Sequence, residues 1–340
     1  NTVIIQTAGQ KGVIYNSKNL PALTPFFDPL TYAISPARAQ GLYVYCIYNT
    51  MYVGDGESMG RATGMDAATL DFIREEVGEF VRNYHPDGLF LDQYYNEETT
   101  SSYGAYISQG GGIGYQSYMR SLSRTALETV LSTVEENAPG MQVGILTDAV
   151  WENKSQNEAG SNTSASWTVL ANGNTDVKGM LEEGKFDFVG VRASGSTSHG
   201  AIPFDTVTAW WGKLAQSCGT SMYVIHSADR MGTNHTGWSS NTEMVRQLDN
   251  AHKVEGYSGS VFNSLAALLA NPGGATDNIL KYLNDQTSAQ FILTELKLTK
   301  PEQTTYTTNE ATVMFQGASD PTNKVTLNDK EITTDQNGYF

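Results

Sequence analysis

Apolar residues come along this chain in short continuous runs, each followed by a longer stretch in which they recur every three or four positions. The runs Val3–Gln6, Leu42–Tyr48, Gly88–Gln93, Gln142–Thr147, Phe188–Arg192, Met222–His226 and Gly259–Asn263 read as strands buried on both faces. The stretches Pro29–Ala39, Asp66–Tyr84, Gly114–Ala138, Asp176–Gly184, Asp205–Cys218, Thr242–Lys253 and Asp277–Asp285 read as helices. Asp66 offers an N-cap, Glu75–Glu76 falls on a face expected to be solvated, and Gly184 and Gly256 are helix stops. Strands alternating with helices predict a parallel sheet joined by right-handed crossovers. A closed (β/α)₈ barrel needs eight strands. Seven runs therefore predict an α/β fold, a TIM barrel over residues 1–290 lacking its first strand and helix in this chain. An open doubly wound sheet and a missed strand are the alternatives.

After residue 290 the texture changes to alternating β-branched positions, with Pro301 and turn clusters at Asp320-Pro321 and Asn337-Gly338. That is the pattern of a β-sandwich. About four strands fit in 291–340, so only part of such a module is expected there.

Charge narrows the function classes. Against 36 acidic side chains stand 21 basic ones, for a formal net charge of −15. This excludes a phosphate backbone and an anionic membrane surface as natural partners. No apolar run approaches the roughly 20 residues that a membrane helix needs. The chain opens on Asn1, so a processed or truncated amino terminus is expected, and the uncharged polar composition suits an extracellular or cell-surface bacterial protein. Cys46 and Cys218 are expected to be two inert thiols. Neither CxxC nor HExxH occurs and the five histidines are scattered, so no metal or cofactor is expected.

The chemistry concentrates in Tyr84–Tyr95, YHPDGLFLDQYY. A turn leads into Leu89-Phe90-Leu91, and the strand ends on Asp92. A carboxylate at the carboxyl end of a barrel strand sits where barrel active sites are built, and burying one needs a reason. Glycoside hydrolysis uses two carboxyl groups, about 5–5.5 Å apart for retention and roughly 6.5–9.5 Å for inversion. Asp148, at the end of the next strand, and Glu152, beside Trp151, are the candidate partners. The bland alternative has Asp92 paired with Arg192 and the other two acids solvated. Glu97-Glu98 are expected to be solvated and Asp87 structural.

Sugar rings present apolar C–H faces, so Tyr48, Tyr94, Tyr95, Trp151 and Trp238, all after strands, are candidate sugar platforms. Trp210-Trp211 read as barrel shell. Asn49 and Asn263 are placed to bind sugar hydroxyls, and His226 is either a substrate donor or a satisfied barrel histidine. The Gly-rich segment 108–114 lacks the order of a phosphate loop and reads as a lid over the mouth.

In combination these motifs resemble a bacterial glycosyl-hydrolase-like family described as family-10-like, secreted enzymes with a (β/α)₈ fold. Asn1–Gln6 is similar to that family's second strand, FNTVFFQV. Asp28-Pro29-Leu30 with Ala39–Asn49, Asp87–Tyr94 ("DGIHFDDY"), Gln142–Trp151, Asp187-Phe188 and Gly259–Phe262 ("GSVFF") extend the likeness over residues 1–285. It implies a barrel, a polysaccharide or glycan partner with cell wall among the candidates, and a binding role for Asn49. The chain departs from the family at Gln93, where a second acid is usual, and at Ala8 and Gly12. Thr147-Asp148 and Arg192-Ala193-Ser194 take the family's polar positions on later strands, which makes Arg192 a candidate substrate contact. The tail from Lys297 resembles the immunoglobulin-like modules of bacterial surface proteins. Three readings follow: a secreted glycoside hydrolase, a non-catalytic carbohydrate-binding barrel, or a structural cell-surface protein.

Overall fold

The structure, a computed structural model, describes all residues except 1, 10, 25, 97, 110, 111, 291–296, 301–306, 308–311, 320–323 and 335–338. The chain forms two compact units, Asn1–Ala270 and Asn271–Phe340.

The first unit is built on seven strands: β1 Thr2–Gln6, β2 Tyr43–Asn49, β3 Gly88–Asp92, β4 Gln142–Asp148, β5 Phe188–Ala193, β6 Ser221–Ser227 and β7 Tyr257–Asn263. They pair in sequence order, every ladder parallel. Each expected strand is present within two residues of its predicted bounds. The strands β1 and β7 form the two edges of the sheet. Closing it as an eight-stranded barrel takes one further strand between them.

Side chains from all seven strands meet in one apolar cluster. Phe90, Leu146, Phe188 and Ile225 are its buried centre, flanked by Ile4, Tyr45, Ile47, Tyr223 and Val261. These positions are two residues apart on any one strand, as the alternation of a pleated strand requires. Glycines make room for the rings. A Cβ on Gly144 would lie 2.1 Å from Phe188, and one on Gly190 would lie 2.7 Å from Phe90. This alternation of small and large side chains lets the rings of Phe90 and Phe188 lie against the neighbouring strands.

The helices α1 Pro29–Ala39, α2 Ala67–Tyr84, α3 Thr100–Gln109, α4 Tyr115–Asn137, α5 Val177–Glu182, α6 Phe204–Cys218 and α7 Glu243–Ala251 surround the sheet, while α8 Leu265–Ala270 sets Leu265 against the same cavities as the interior Ile4 and Phe90. Asp66 caps α2 through Thr69 N–H, and Gly184 and Gly256 both adopt positive φ after helices, as expected of stops. The helices α3 and α8, and the small hairpin Tyr52–Gly54 with Met59–Arg61, were not legible from apolar periodicity. Where a lid was expected, α3 runs to Gln109, while Gly110 and Gly111 lie outside the described residues.

At the amino-terminal ends of the strands two aspartates do the same job. Asp87 accepts from Val44 N–H and Asp187 from Val143 N–H, both at 2.7 Å. Each ties its own strand entry to the preceding strand, so the expectation that Asp87 is structural fits its contacts. Glu76 does not sit on a solvated face. It is 2% exposed, accepts from Ser17 Oγ at 2.7 Å, and burial raises its carboxyl above the usual value. The loop after β1 folds over α2 and covers it. The thiol of Cys46 is fully buried and pushed up to about 12 by burial, consistent with an inert role.

The second unit contains the helix Ala275–Gln290, which the sequence pattern had assigned to the barrel. Its described strands form two antiparallel pairs, Lys297–Lys300 with Gln316–Ala318 and Val325–Leu327 with Lys330–Ile332. Pro301, Asp320-Pro321 and Asn337-Gly338 lie outside the described residues.

Candidate active site

The strand register decides which polar side chains meet at the carboxyl ends. In parallel ladders, residues paired across strands face the same side. Phe90 lies on the inner face of the rolled sheet, so Asp92, two residues on, points inward too, level with Asn49. Leu146 is interior, hence so is Asp148, which pairs with Arg192. Arg192 in turn pairs with the interior Ile225. Three charged side chains from three consecutive strands thus stand on one rim.

One guanidinium joins them. Arg192 Nη2 donates to Asp92 Oδ2 at 2.6 Å, and Nη1 lies 3.6 Å from Asp148 Oδ1. Asp92 is 2% exposed, and its Oδ1 is buried with no hydrogen-bond partner. The Asp148 side chain is far more open, at 38%. Burial raises the Asp148 carboxyl above its usual value, Arg192 opposes that rise, and Asp92 adds to it. For Arg192, burial works against the charge, but Asp92 and Asp148 outweigh it and the net shift is upward. The expected pairing of Asp92 with Arg192 and the expected approach of Asp92 to Asp148 are therefore both present.

Arg192 and Asp148 line a cavity of about 670 Å³. Asn263 lines it as well, together with Gln6, Ser194 and Ser227. Its aromatic lining is Trp167, Phe90 and Phe262, with Trp167 packed edge-to-face on Tyr95 at a ring-centroid distance of 5.0 Å. The volume falls within the range of about 300–1,000 Å³ typical of small-ligand sites. Asp92 lies behind Arg192 and is absent from this lining.

Several expected site residues are elsewhere. Glu152 is 4% exposed and held by its own loop: Asn153 N–H donates to Oε1 at 2.8 Å and Thr168 Oγ1 to Oε2 at 3.2 Å. It lines a separate cavity and does not face Asp92. Trp151 stacks on Trp210 and donates from Nε1 to Asp176, so it is packing and not a sugar platform. Trp238 is 1% exposed beneath its loop, and Tyr48 packs on Phe80. Tyr94 and Tyr95 are buried as well. The Tyr94 hydroxyl donates to Leu146 O, and the Tyr95 hydroxyl accepts from Asp148 N–H at 2.9 Å. They hold the end of β4 in place. Asn49 is buried and its Oδ1 accepts from Gln6 Nε2 at 3.5 Å, so Gln6 is the residue of that pair which reaches the cavity.

His226 settles as the satisfied histidine. It pairs in register with Ala193, one position off the inward-facing Arg192, and so points toward the helices. Its ring lies between Phe204 and Phe262. Gln247 Nε2 donates to the Glu243 carboxylate, which turns Gln247 Oε1 toward His226 Nδ1 at 3.0 Å. Nδ1 therefore carries the proton and Nε2 accepts from Ser260 Oγ at 2.7 Å. Burial depresses the imidazole pKa to about 4.

Two-residue parity from Ile4 and Ile225 would have found Gln6 and Ser227. Trp167 sits in a loop with no periodicity, and nothing in its local sequence marks it.

With the geometry in place, comparison with known proteins adds an independent line. No family model matches the chain. It is 24% identical over 254 residues to the glycosyl hydrolase YngK of Bacillus subtilis, an alignment covering 72% of this chain and 48% of YngK. It is 22% identical over 312 residues to the glycosyl hydrolase DigH of Escherichia coli, covering 77% of this chain and 71% of DigH. The chain thus spans only about half the length of YngK. Among solved structures it resembles the PgaB (BpsB) glycoside hydrolase domain from Bordetella bronchiseptica, with a TM-score of 0.53 at 12% identity over 81% of this chain and 87% of that domain. That likeness shows the fold. The chain has a glycoside-hydrolase-type α/β fold with named glycosyl hydrolases among its relatives.

Proposed function

We propose that this chain is a glycoside hydrolase that cleaves a polysaccharide in the cavity walled by Asp148, Arg192 and Trp167. The observation that carries the reading is the single guanidinium bridging two carboxylates at the carboxyl ends of β3 and β4. Two carboxyl groups within reach of one guanidinium fall within the separation of up to about 9.5 Å that glycoside hydrolysis uses. Asp148 faces the cavity with a raised pKa, which suits a general acid that protonates the leaving oxygen. Asp92 is the second carboxylate, and Arg192 orients it. Trp167 offers the apolar face for a sugar ring, with Gln6 and Asn263 placed for its hydroxyls. We further propose that the protein works outside the cell or at its surface, with residues 291–340 belonging to an immunoglobulin-like module.

A second reading has one specific observation in its favour. Asp92 is sealed behind Arg192, as in a carbohydrate-binding barrel that no longer cuts. Reducing-end release from bacterial, host and plant glycans separates the two. The parent is expected to release ends, with Asp148→Asn about 10²–10⁴-fold slower. As pH rises through the elevated Asp148 pKa, the acid loses its proton and the rate falls. Binding without release by the parent, or full activity in Asp148→Asn, overturns the proposed mechanism.

A further inference from the structure

The cavity that holds Glu152 has no part in the chemistry above, yet it adjoins the mouth. It measures about 520 Å³ and is lined by Glu152, Arg120, Gln156, Asn157, Thr168 and Asn172 among others. Ala165 lines both cavities. The segment 165–168 is thus a shared wall: Trp167 faces the mouth, while Ser166 and Thr168 face the second cavity. Ala165 therefore places the two cavities on either side of one segment.

The wall and floor are fixed in advance. Asn153 Oδ1 accepts from Ala165 N–H at 2.8 Å, and Asn172 Oδ1 accepts from Thr168 N–H at 2.8 Å. Both Glu152 oxygens are engaged by donors of the same loop. Arg120, from α4, differs. Its Nε is buried with no hydrogen-bond partner, and among the described residues its guanidinium joins no ion pair. Glu152 lines the same cavity, but its oxygens are taken by Asn153 and Thr168, so among the described residues Arg120 is a half-buried cation with no carboxylate in an ion pair with it. A guanidinium takes a carboxylate in a bidentate grip that a neutral hydroxyl cannot match. Amides at Gln156 and Asn157 surround it and suit ring hydroxyls.

We propose that this second cavity is a distal subsite and that Arg120 reads a carboxylate on the sugar unit seated there. The substrate class is then an acidic, carboxylate-bearing polysaccharide. The inference rests on the reading that the mouth binds a glycan.

The test titrates the full chain with glucuronate and galacturonate, with their methyl esters, and with neutral oligosaccharides, followed by NMR. The parent is expected to prefer each free acid over its ester by about tenfold, the size of one charge-assisted hydrogen-bonded pair. Arg120→Gln should erase that preference, so that free acid and ester bind alike, and Arg120→Lys should keep part of it. No acid preference in the parent, or a preference that survives Arg120→Gln, overturns the subsite. Binding of neutral oligosaccharides that Trp167→Ala weakens reports the mouth alone. Its presence without any acid preference sinks only the subsite, whereas binding of no saccharide at all sinks the glycan reading and the subsite together.

Discussion

The inward-facing charged residues at the carboxyl ends of β3, β4 and β5 and the outward-facing His226 near the end of β6 are built from similar material and behave oppositely. On the first side Asp92, Asp148 and Arg192 turn inward, share one guanidinium, and open onto a cavity. On the second, His226, Gln247 and Ser260 form a closed chain of hydrogen bonds between sheet and helices, with the imidazole fully buried. One residue of register separates them, since Ile225 and not His226 stands level with Arg192. A titratable side chain at a strand end therefore says little until its parity is known. Facing in, it meets ligand and other charges. Facing out, it must be neutral and satisfied by protein alone, because no water reaches it.

The comparison can be broken from the inward side first. Arg192→Gln leaves Asp92 buried without its partner and is expected to cost about 3–5 kcal/mol in urea unfolding. Adding Asp92→Asn should recover most of that loss. If the double variant is as unstable as the sum of the singles, the pair is not coupled and the shared-guanidinium picture fails.

The outward side predicts a pH signature. His226 keeps a folded pKa of about 4, while the unfolded chain takes up its proton near 6.5. Its contribution is complete above pH 6.5 and drains away as pH falls toward 4, by about 3 kcal/mol at most. Comparing unfolding of the parent and His226→Asn across that window checks this. An identical slope in both would show that the histidine is not the group being titrated.

A smaller effect tests the interior beneath the open rim. Gly144→Ala places a methyl against the Phe188 ring and is expected to cost about 1–3 kcal/mol through forced repacking. Trimming the ring as well, in Gly144→Ala with Phe188→Leu, should restore part of it. A neutral Gly144→Ala would mean that the interior is looser than the glycine–aromatic fit implies.

How much of this was legible follows from what each signal measures. The strands and most of the helices could be read because apolar periodicity is a local consequence of burying one face of a regular element. The short helix α8 carries no such period over enough residues, and α3 is mostly small and polar. Asp92, Asp148 and Arg192 were visible because each ends an apolar run, and that position is fixed by the chain itself. Glu152 and Trp151 were misplaced because they follow β4 in a loop, where no period dictates direction. Glu76 was misjudged because a segment distant in sequence, at Ser17, folds over it.

By itself, then, the sequence determined the alternation of strand and helix, the parallel sheet, and which polar residues stand at strand ends. Those are outcomes of local geometry and of the burial that each element demands. Only the tertiary structure decided that Asp148 opens to a cavity while Asp92 is sealed, that Trp167 and not Trp151 walls the mouth, and that the Arg120 guanidinium joins no ion pair among the described residues. Each of these depends on contacts between residues far apart in the chain, whose energies no local pattern encodes.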